Sequence, residues 1–183
     1  GSYPPLVTPF RDGRVDLDTF EALVDRHARE GSHGIVVCGT SGEASSLSTR
    51  ERVELFRSAV RAARGRLPVV AGTGSAAYTE TRELTRAAEA AGVNAALVVT
   101  PYYVRPSQAG LVEYFSAIGG ETRLPLLIYH IPGRAAGSVT ATTVCRIADR
   151  IPHLAGMKHA STDLDLVSEL LVRLGAEFRV FCG

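Results

Sequence analysis

The sequence predicts an α/β fold, a (β/α)8 TIM barrel that is truncated after its seventh strand. Short apolar runs alternate with amphipathic stretches at a repeat of about 30 residues, which is typical of βαβ units and a parallel sheet. Polar residues suited to chemistry follow these runs directly, and in such a barrel the carboxyl ends of the strands form the active face. A doubly wound sheet is the competing interpretation, but Gly72-Thr-Gly74 lacks the third glycine of a dinucleotide-binding fingerprint.

The chain length supports one incomplete domain. Its 183 residues lie within the range of about 100–200 residues that one domain usually has. A complete barrel has eight strands in about 250 residues, whereas seven predicted strands fit here, the last ending beside Gly183. We therefore expect a single barrel domain over residues 1–183 that lacks its C-terminal part and belongs to a longer protein.

Composition argues against several classes of partner. The formal net charge is +1, and no run of Lys and Arg suggests a nucleic-acid or membrane partner. No apolar stretch is long enough to cross a membrane, and no signal-peptide pattern is present. The three cysteines, Cys38, Cys145 and Cys182, lie far apart, and no histidine pair has metal-ligand spacing. We expect no disulfide framework, no metal and a reducing, cytoplasmic compartment.

The predicted strands are short runs bounded by glycine, proline or polar residues. The first, over residues 3–8, contains Pro4 and Pro5 and should be irregular. Six apolar runs follow, as expected for strands covered on both faces: residues 34–38, 67–71, 95–100, 124–130, 151–161 and 178–182. Residues 9–13, 39–43, 72–75 and 131–134 are predicted loops.

Capping residues and helical periodicity predict the helices. Asp16 has the side chain of an N-cap, and Ser48 with Glu51 has the spacing of a capping box. Thr140 is predicted to cap a later helix, and Gly92 to end an earlier one. The predicted helices cover residues 17–30, 49–63, 79–91, 108–118, 140–149 and 163–174.

Lys158 is the candidate around which the other residues are organised. It lies near the end of a predicted buried strand with small and apolar neighbours. Burial disfavours an ammonium group, and this suits a lysine that acts as an amine nucleophile toward a carbonyl. The alternative is a lysine at a strand end that reaches solvent, so the surrounding motifs must decide.

Four motifs follow predicted strands and share the expected active face: Gly39–Glu43, Thr100–Gln108, Tyr129–Arg134 and Gly156–Lys158. Together, in this order and spacing, they resemble the dihydrodipicolinate synthase / N-acetylneuraminate lyase family of Schiff-base-forming (β/α)8 enzymes. The resemblance covers the chain from Ser2 to Gly183 and is greatest to the dihydrodipicolinate synthases.

The resemblance implies a chemistry that needs no cofactor. Lys158 would condense with the ketone of pyruvate to an imine, whose methyl group loses a proton and becomes an enamine nucleophile toward an aldehyde. Tyr129 would be the proton shuttle, with Thr40 and Tyr103 completing the relay. In the family the tyrosine at the Tyr103 position reaches into the adjacent subunit, which implies a homodimer or homotetramer.

The same resemblance implies the substrate contacts. Thr40 and Ser41 would hold the pyruvate carboxylate, Gly183 would also line the substrate site, and Arg134 would bind the carboxylate of aspartate semialdehyde. The implied reaction is that of a 4-hydroxy-tetrahydrodipicolinate synthase, a lyase of lysine and diaminopimelate biosynthesis. Two alternatives stay open: another 2-keto acid aldolase or dehydratase of the family, and a non-catalytic ligand-binding or scaffold protein that keeps the fold.

Three positions depart from the family pattern. Ser41 replaces the usual second threonine, His130 stands where asparagine is common, and His159 stands where the synthases mostly have glutamate. These changes leave the aldehyde substrate open. Because side chains alternate along a strand, His130 and His159 should point away from Tyr129 and Lys158, and should either be structural or support the site residues without contacting the substrate.

Overall fold

The computed structural model describes residues 1–183, and a curled parallel sheet dominates it. A short antiparallel hairpin, β1 (Phe10–Arg11) with β2 (Arg14–Val15), comes first in the chain. Six strands then pair in parallel and in chain order. They are β3 (Ile35–Val37), β4 (Val69–Gly72), β5 (Ala95–Val99), β6 (Leu126–His130), β7 (Leu154–His159) and β8 (Arg179–Cys182).

Helices connect these strands. They are α1 (Leu17–Arg29), α2 (Thr49–Ala63), α3 (Tyr78–Ala91), α4 (Gln108–Gly119), α5 (Pro132–Ala135), α6 (Ala141–Arg150) and α7 (Leu164–Leu174). This alternation confirms the predicted incomplete (β/α)8 barrel. None of the helices combines the length and the apolar character that crossing a membrane requires.

The predicted helix caps are confirmed. The Asp16 side chain accepts a hydrogen bond from the backbone N–H of Thr19, which starts α1. Ser48 and Glu51 form a complete capping box at the start of α2. Thr140 accepts from the N–H of Thr143 at the start of α6. Local side-chain chemistry therefore sets where these helices begin.

The two faces of the sheet carry cores of very different size. Between the sheet and the helices lies a cluster of 36 buried hydrophobic residues. The concave inner face holds only six: Val36, Val70, Ala95, Leu97, Leu127 and Tyr129. Most of the hydrophobic stabilisation thus comes from the outer core, which leaves the inner face available for a binding site.

The strand predicted over residues 3–8 is wrong as a continuous element. Only Pro5 forms an isolated parallel bridge, with Val36 of β3. The N–H of Leu6 donates to the Val36 carbonyl at 2.9 Å, and the Val36 N–H donates to the Pro4 carbonyl at 3.0 Å. Two successive prolines have no N–H, so this segment cannot extend the ladder.

Three predicted loops contain regular structure. Residues 9–13 enter the β1–β2 hairpin, whose turn residues Asp12 and Gly13 both have positive φ, the geometry that an Asp-Gly turn favours. Residues 131–134 lie mostly in α5, which begins at Pro132. Residues 39–43 contain a 3-10 turn over Thr40–Gly42. Short elements of this kind carry too little periodicity to stand out in a sequence.

The strand predicted over residues 151–161 is shorter, running from Leu154 to His159. Ile151 still belongs to the end of α6, because its N–H donates to the Ile147 carbonyl. A proline and a turn then separate it from the strand. The apolar run therefore combines a helix end with a strand, which the pattern alone does not separate.

The sheet is open beyond β8, which pairs with β7 alone. A cavity of 750 Å³ lies between β8 and the first residues of the chain, and Tyr3 and Lys158 are among the residues that line it. The ring of Tyr3 meets that of Phe181 edge to face across this gap, with 5.4 Å between centroids. The two ends of the sheet thus approach each other without pairing.

Candidate active site

The structure brings four of the predicted site residues to the carboxyl end of the sheet. Thr40 follows β3, Tyr129 lies in β6, Lys158 lies in β7, and Gly183 follows β8. Tyr129 and Lys158 are register partners on neighbouring strands. Because alternate side chains share a face, both project to the concave inner side.

Tyr129 is held by burial and by one hydrogen bond. Its side chain is 6% exposed within the inner cluster, and its hydroxyl lies 3.2 Å from the hydroxyl of Thr40. Thr40 can reach the Tyr129 hydroxyl because the ends of β3 and β4 pack closely. A Cβ on Gly72 would overlap the backbone carbonyl of Cys38. Glycine at position 72 is therefore needed for the backbone path that leads to Thr40.

Lys158 lies beside Tyr129, with its Nζ 4.5 Å from the centroid of the tyrosine ring. This is a cation–π distance. Its side chain is half-buried, less than expected for a buried strand, because the larger cavity opens beside it. It is also the only lysine of the sequence, because the other residues among the 20 Lys and Arg are all arginine.

Gly183 leaves room for the lysine side chain. A Cβ built on it would lie 2.8 Å from Cε of Lys158 and 2.9 Å from the Cβ of Ala160. Its N–H donates to the carbonyl of His159 at 2.9 Å, which continues the β7–β8 ladder. A larger residue at this position would press on Lys158.

A smaller cavity of 210 Å³ adjoins Tyr129 on the side away from β8. Thr40 and Arg134 also line it, so a basic group faces the same space as the hydroxyl groups of Thr40 and Tyr129. Arg134 is exposed and is carried by α5. Ser41 lies on the same turn as Thr40 but does not line the cavity. Ser45 does line it, although the sequence analysis did not single it out.

Tyr103 is the one predicted relay residue that this chain does not bring to Tyr129. Its side chain is 90% exposed, its φ is 71°, and it makes no side-chain hydrogen bond. The neighbouring Tyr102 lines the smaller cavity instead. Either tyrosine of the pair would fit the sequence pattern, so the backbone conformation decides which of them turns inward.

Arg52 is a further residue near the site that the sequence analysis missed. It is 3% exposed and has no carboxylate partner, and its guanidinium donates to the carbonyls of Gly72 at 2.8 Å and Gly74 at 3.2 Å. Burial lowers its pKa. The two glycines line the smaller cavity, so Arg52 fixes the loop beneath it. The side chains three and four residues after Arg52 are buried, so Arg52 lies on the apolar face of α2. This position was the signal in the sequence that Arg52 would be buried.

The state of the Cys38 thiol and the arrangement of possible metal ligands also bear on the chemistry. Burial raises the pKa of the Cys38 thiol to about 12, so this cavity-lining cysteine stays protonated and is a poor nucleophile near neutral pH. No group of three or more His, Cys, Asp or Glu side chains is placed to hold a metal ion. The primary amine of Lys158 is then the strongest nucleophile at the site, beside a phenol that can move a proton.

Comparison with known proteins gives consistent matches over the whole chain. The model of the dihydrodipicolinate synthetase family matches residues 1–183. The 4-hydroxy-tetrahydrodipicolinate synthase of Thermus thermophilus is 45% identical over 184 residues, and that of Cereibacter sphaeroides is 46% identical over 183. Each alignment covers 100% of this chain but only 62% or 63% of the relative, so the chain spans less than two thirds of their length.

Solved structures give the same picture. The dihydrodipicolinate synthase of Aquifex aeolicus superposes with a TM-score of 0.98 at 38% identity, covering 100% of this chain and 62% of that one. The chloride-inhibited enzyme of Acinetobacter baumannii, solved with pyruvate, gives 0.95 at 40% identity and covers 100% and 63%. The incomplete barrel therefore matches the corresponding part of complete ones.

Proposed function

Because the chain belongs to the dihydrodipicolinate synthetase family, we propose that its protein is a pyruvate-dependent Schiff-base lyase. The reaction we propose is the condensation of pyruvate with aspartate semialdehyde, as the names of its 4-hydroxy-tetrahydrodipicolinate synthase relatives suggest. The observation that carries this proposal is the arrangement of Lys158, Tyr129 and Thr40 at one end of the sheet.

The first step is imine formation at Lys158. Its unprotonated amine attacks the ketone carbon of pyruvate, a C–N bond forms, and the carbonyl oxygen leaves as water after accepting protons. The protonated imine withdraws electrons, so the methyl group loses a proton and an enamine results. The enamine carbon then attacks the aldehyde carbon, and a new C–C bond forms as the aldehyde oxygen takes up a proton. The amino group of aspartate semialdehyde finally attacks the imine carbon, which closes the ring, breaks the C–N bond to Lys158 and returns the lysine as a free amine.

Tyr129 is suited to move these protons. Its hydroxyl is buried and bonded to Thr40, and its ring lies directly below the lysine amine. A phenol has a pKa near 10 in water, so a hydrogen-bonded partner helps it to exchange protons near neutrality. The Thr40 hydroxyl is that partner within this chain, and the Tyr103 hydroxyl of a neighbouring subunit would be the next.

Two groups of residues are proposed to bind the carboxylates of pyruvate and of the aldehyde. The turn with Thr40 and Ser41 offers hydroxyl and backbone N–H groups to the pyruvate carboxylate. Arg134, on the far side of the 210 Å³ cavity, offers a guanidinium fork to the carboxylate of the aldehyde.

We also propose a homo-oligomer in which Tyr103 enters the partner's site. The support is its 90% exposure on a loop whose positive φ values at Tyr103 and Arg105 direct the chain outward. An exposed tyrosine of this kind is a frequent anchor of protein interfaces. Mixing a Lys158→Ala protein with a Tyr103→Phe protein tests this: partial recovery of activity in the mixture is expected, and no recovery would contradict the shared site.

A steady-state assay tests the proposed reaction. The protein as its gene encodes it is given pyruvate and aspartate semialdehyde, and cyclised product is measured by absorbance. Product formation that needs both substrates is the expected result. Activity only with other aldehydes would assign the chain to a different 2-keto acid aldolase. Inactivity with every aldehyde would favour a binding or scaffold role.

A further inference from the structure

His130 and His159 form a buried pair at the ends of the two strands that carry Tyr129 and Lys158. The histidines are register partners, as Tyr129 and Lys158 are one residue earlier. They lie on the helix-facing side of the sheet and are 2% and 4% exposed. Neither lines a cavity of the site. The pair therefore lies directly behind the proposed reactive residues.

The pair is joined by a directional hydrogen bond. The two Nδ1 atoms lie 3.1 Å apart, with 5.1 Å between ring centroids and 34° between ring planes. A neutral imidazole has one donor nitrogen and one acceptor nitrogen. The contact is a hydrogen bond only if one ring carries its proton on Nδ1 and the other does not. Two neutral rings can meet this condition only as opposite tautomers.

The arrangement is not the most stable way to fill this space. The Nε2 atoms of both rings are buried without a hydrogen-bond partner, which destabilises the fold. Burial lowers the pKa of His130 to about 4, with a smaller contribution because two protonated imidazoles at this distance would repel each other, while Asp163 at the start of α7 acts in the opposite direction. His130 is thus neutral near pH 7. A feature that reduces stability behind the reactive strands is better explained by function.

We propose that the His130–His159 hydrogen bond is a positioning clamp that fixes how the ends of β6 and β7 are rotated against each other. This inference rests on the proposed function, because the rotation matters only if Lys158 forms an imine whose protons pass through Tyr129. The backbone ladder holds the register, but strands in a sheet can still twist against one another. Since the four side chains belong to adjacent positions, a change of twist behind the sheet displaces Lys158 against Tyr129 in front.

Two double variants separate the clamp from simple packing. His130→Leu with His159→Leu fills a similar volume but removes the hydrogen bond and both unpartnered nitrogens. His130→Asn with His159→Asn places an amide where each Nδ1 was, so one amide can donate to the other. The first pair thus keeps the apolar packing without the clamp, and the second restores the clamp without an imidazole.

Stability and rate are expected to move in different directions. The Leu pair should unfold at or above the wild-type temperature, because apolar replacement of a buried polar pair is often neutral or stabilising. Its kcat and its rate of imine formation with pyruvate should fall about tenfold, since small misplacements of reacting groups are costly, while the KM for pyruvate changes little. The Asn pair should recover most of the rate. Wild-type kinetics in the Leu pair, or equal losses in both pairs, would overturn the clamp.

The failure of the clamp can be distinguished from failure of the proposed function. If the wild-type protein forms no pyruvate adduct at all, the Schiff-base function and the clamp are both contradicted. If the wild type forms the adduct and the Leu pair forms it equally fast, only the clamp is contradicted. Should the double variants not fold, long-range ¹⁵N–¹H spectra of histidine-labelled wild-type protein give the answer. Opposite tautomers for His130 and His159 are expected, and identical tautomers would refute the hydrogen bond.

Discussion

The two reactive residues of the inner face differ in how completely the chain surrounds them, because Tyr129 is buried and Lys158 is half-buried. We call the surroundings of Tyr129 the enclosed side and those of Lys158 the open side. Around Tyr129 the described residues form a cavity of 210 Å³, bounded by Thr40 and Arg134. Around Lys158 the space widens to 750 Å³ between β8 and the first residues of the chain. The contact between the Tyr129 and Thr40 hydroxyls is thus built within this chain, whereas the surroundings of Lys158 depend on what occupies the larger space.

The difference separates two requirements of the proposed reaction. A relay needs fixed distances, and the bond between Tyr129 and Thr40 and the buried tyrosine ring supply them. A lysine nucleophile needs partial removal of water, and the half-buried Lys158 has only part of its surroundings from this chain. Substitutions on the enclosed side should therefore act through geometry, and substitutions on the open side through the nucleophile itself.

The largest effect is expected from Lys158→Arg on the open side. Arginine keeps the positive charge above the Tyr129 ring but stays protonated, so it cannot attack a carbonyl. We expect kcat/KM to fall at least about a thousandfold and no pyruvate adduct to form. Arg179→Gln, which removes a basic side chain elsewhere along the larger cavity, is the control and should keep its rate. An active Lys158→Arg protein would contradict the assignment of the nucleophile.

On the enclosed side, Tyr129→Phe should have the next largest effect. The ring remains beneath the amine, but the hydroxyl that carries protons is lost. We expect kcat to fall about 100- to 1,000-fold, with a pyruvate adduct that still forms slowly. Tyr78→Phe on α3 removes the same atom from a residue without a side-chain hydrogen bond and should be neutral. A Tyr129→Phe enzyme with wild-type kcat would place the proton transfer elsewhere.

A smaller effect is expected at Thr40, where one variant removes the hydroxyl group and the other removes the methyl group. Thr40→Val keeps the shape but leaves the Tyr129 hydroxyl without its partner, and kcat should fall about tenfold. Thr40→Ser keeps the hydroxyl and should retain most of the rate. The two proteins are compared by steady-state kinetics with both substrates. A wild-type kcat in the Val protein together with a loss in the Ser protein would show that the Thr40 methyl group matters instead of the hydrogen bond.

The smallest effect on turnover is expected at the rim of the enclosed side. Arg134→Ala removes the guanidinium but none of the relay, so the KM for the aldehyde should rise about tenfold with a small change in kcat. Arg146→Ala, an exposed arginine on α6, is the matched control. Equal increases in KM for pyruvate and for the aldehyde would contradict the assignment of Arg134 to the second substrate.

Local chemistry explains why so much of the fold could be predicted. The caps at Asp16, Ser48 and Thr140 and the apolar runs of β3 to β8 depend on neighbours within a few residues, so the pattern reports them directly. The prolines at positions 4 and 5 predict an irregular first strand, and their missing N–H groups limit its pairing with β3 to one bridge. The extent of such a reduction is known only once the partner strand is known.

The candidate site was predictable where residues follow strands and less so where loops decide. Thr40, Tyr129, Lys158 and Gly183 converge because parallel strands end at one edge. That Tyr102 lines the smaller cavity while Tyr103 is exposed depends on a backbone with positive φ at Tyr103, which residue types other than glycine rarely indicate. The half-burial of Lys158 depends on strands far away in sequence, so no local pattern reports it.

Borohydride trapping with pyruvate tests the central claim most directly. The protein as its gene encodes it is incubated with pyruvate, reduced, and examined by intact mass and peptide mapping. We predict a stable adduct of one pyruvate per chain, located on Lys158. A folded protein that gives no adduct, or an adduct located on another residue, would contradict the Schiff-base site that this structure supports.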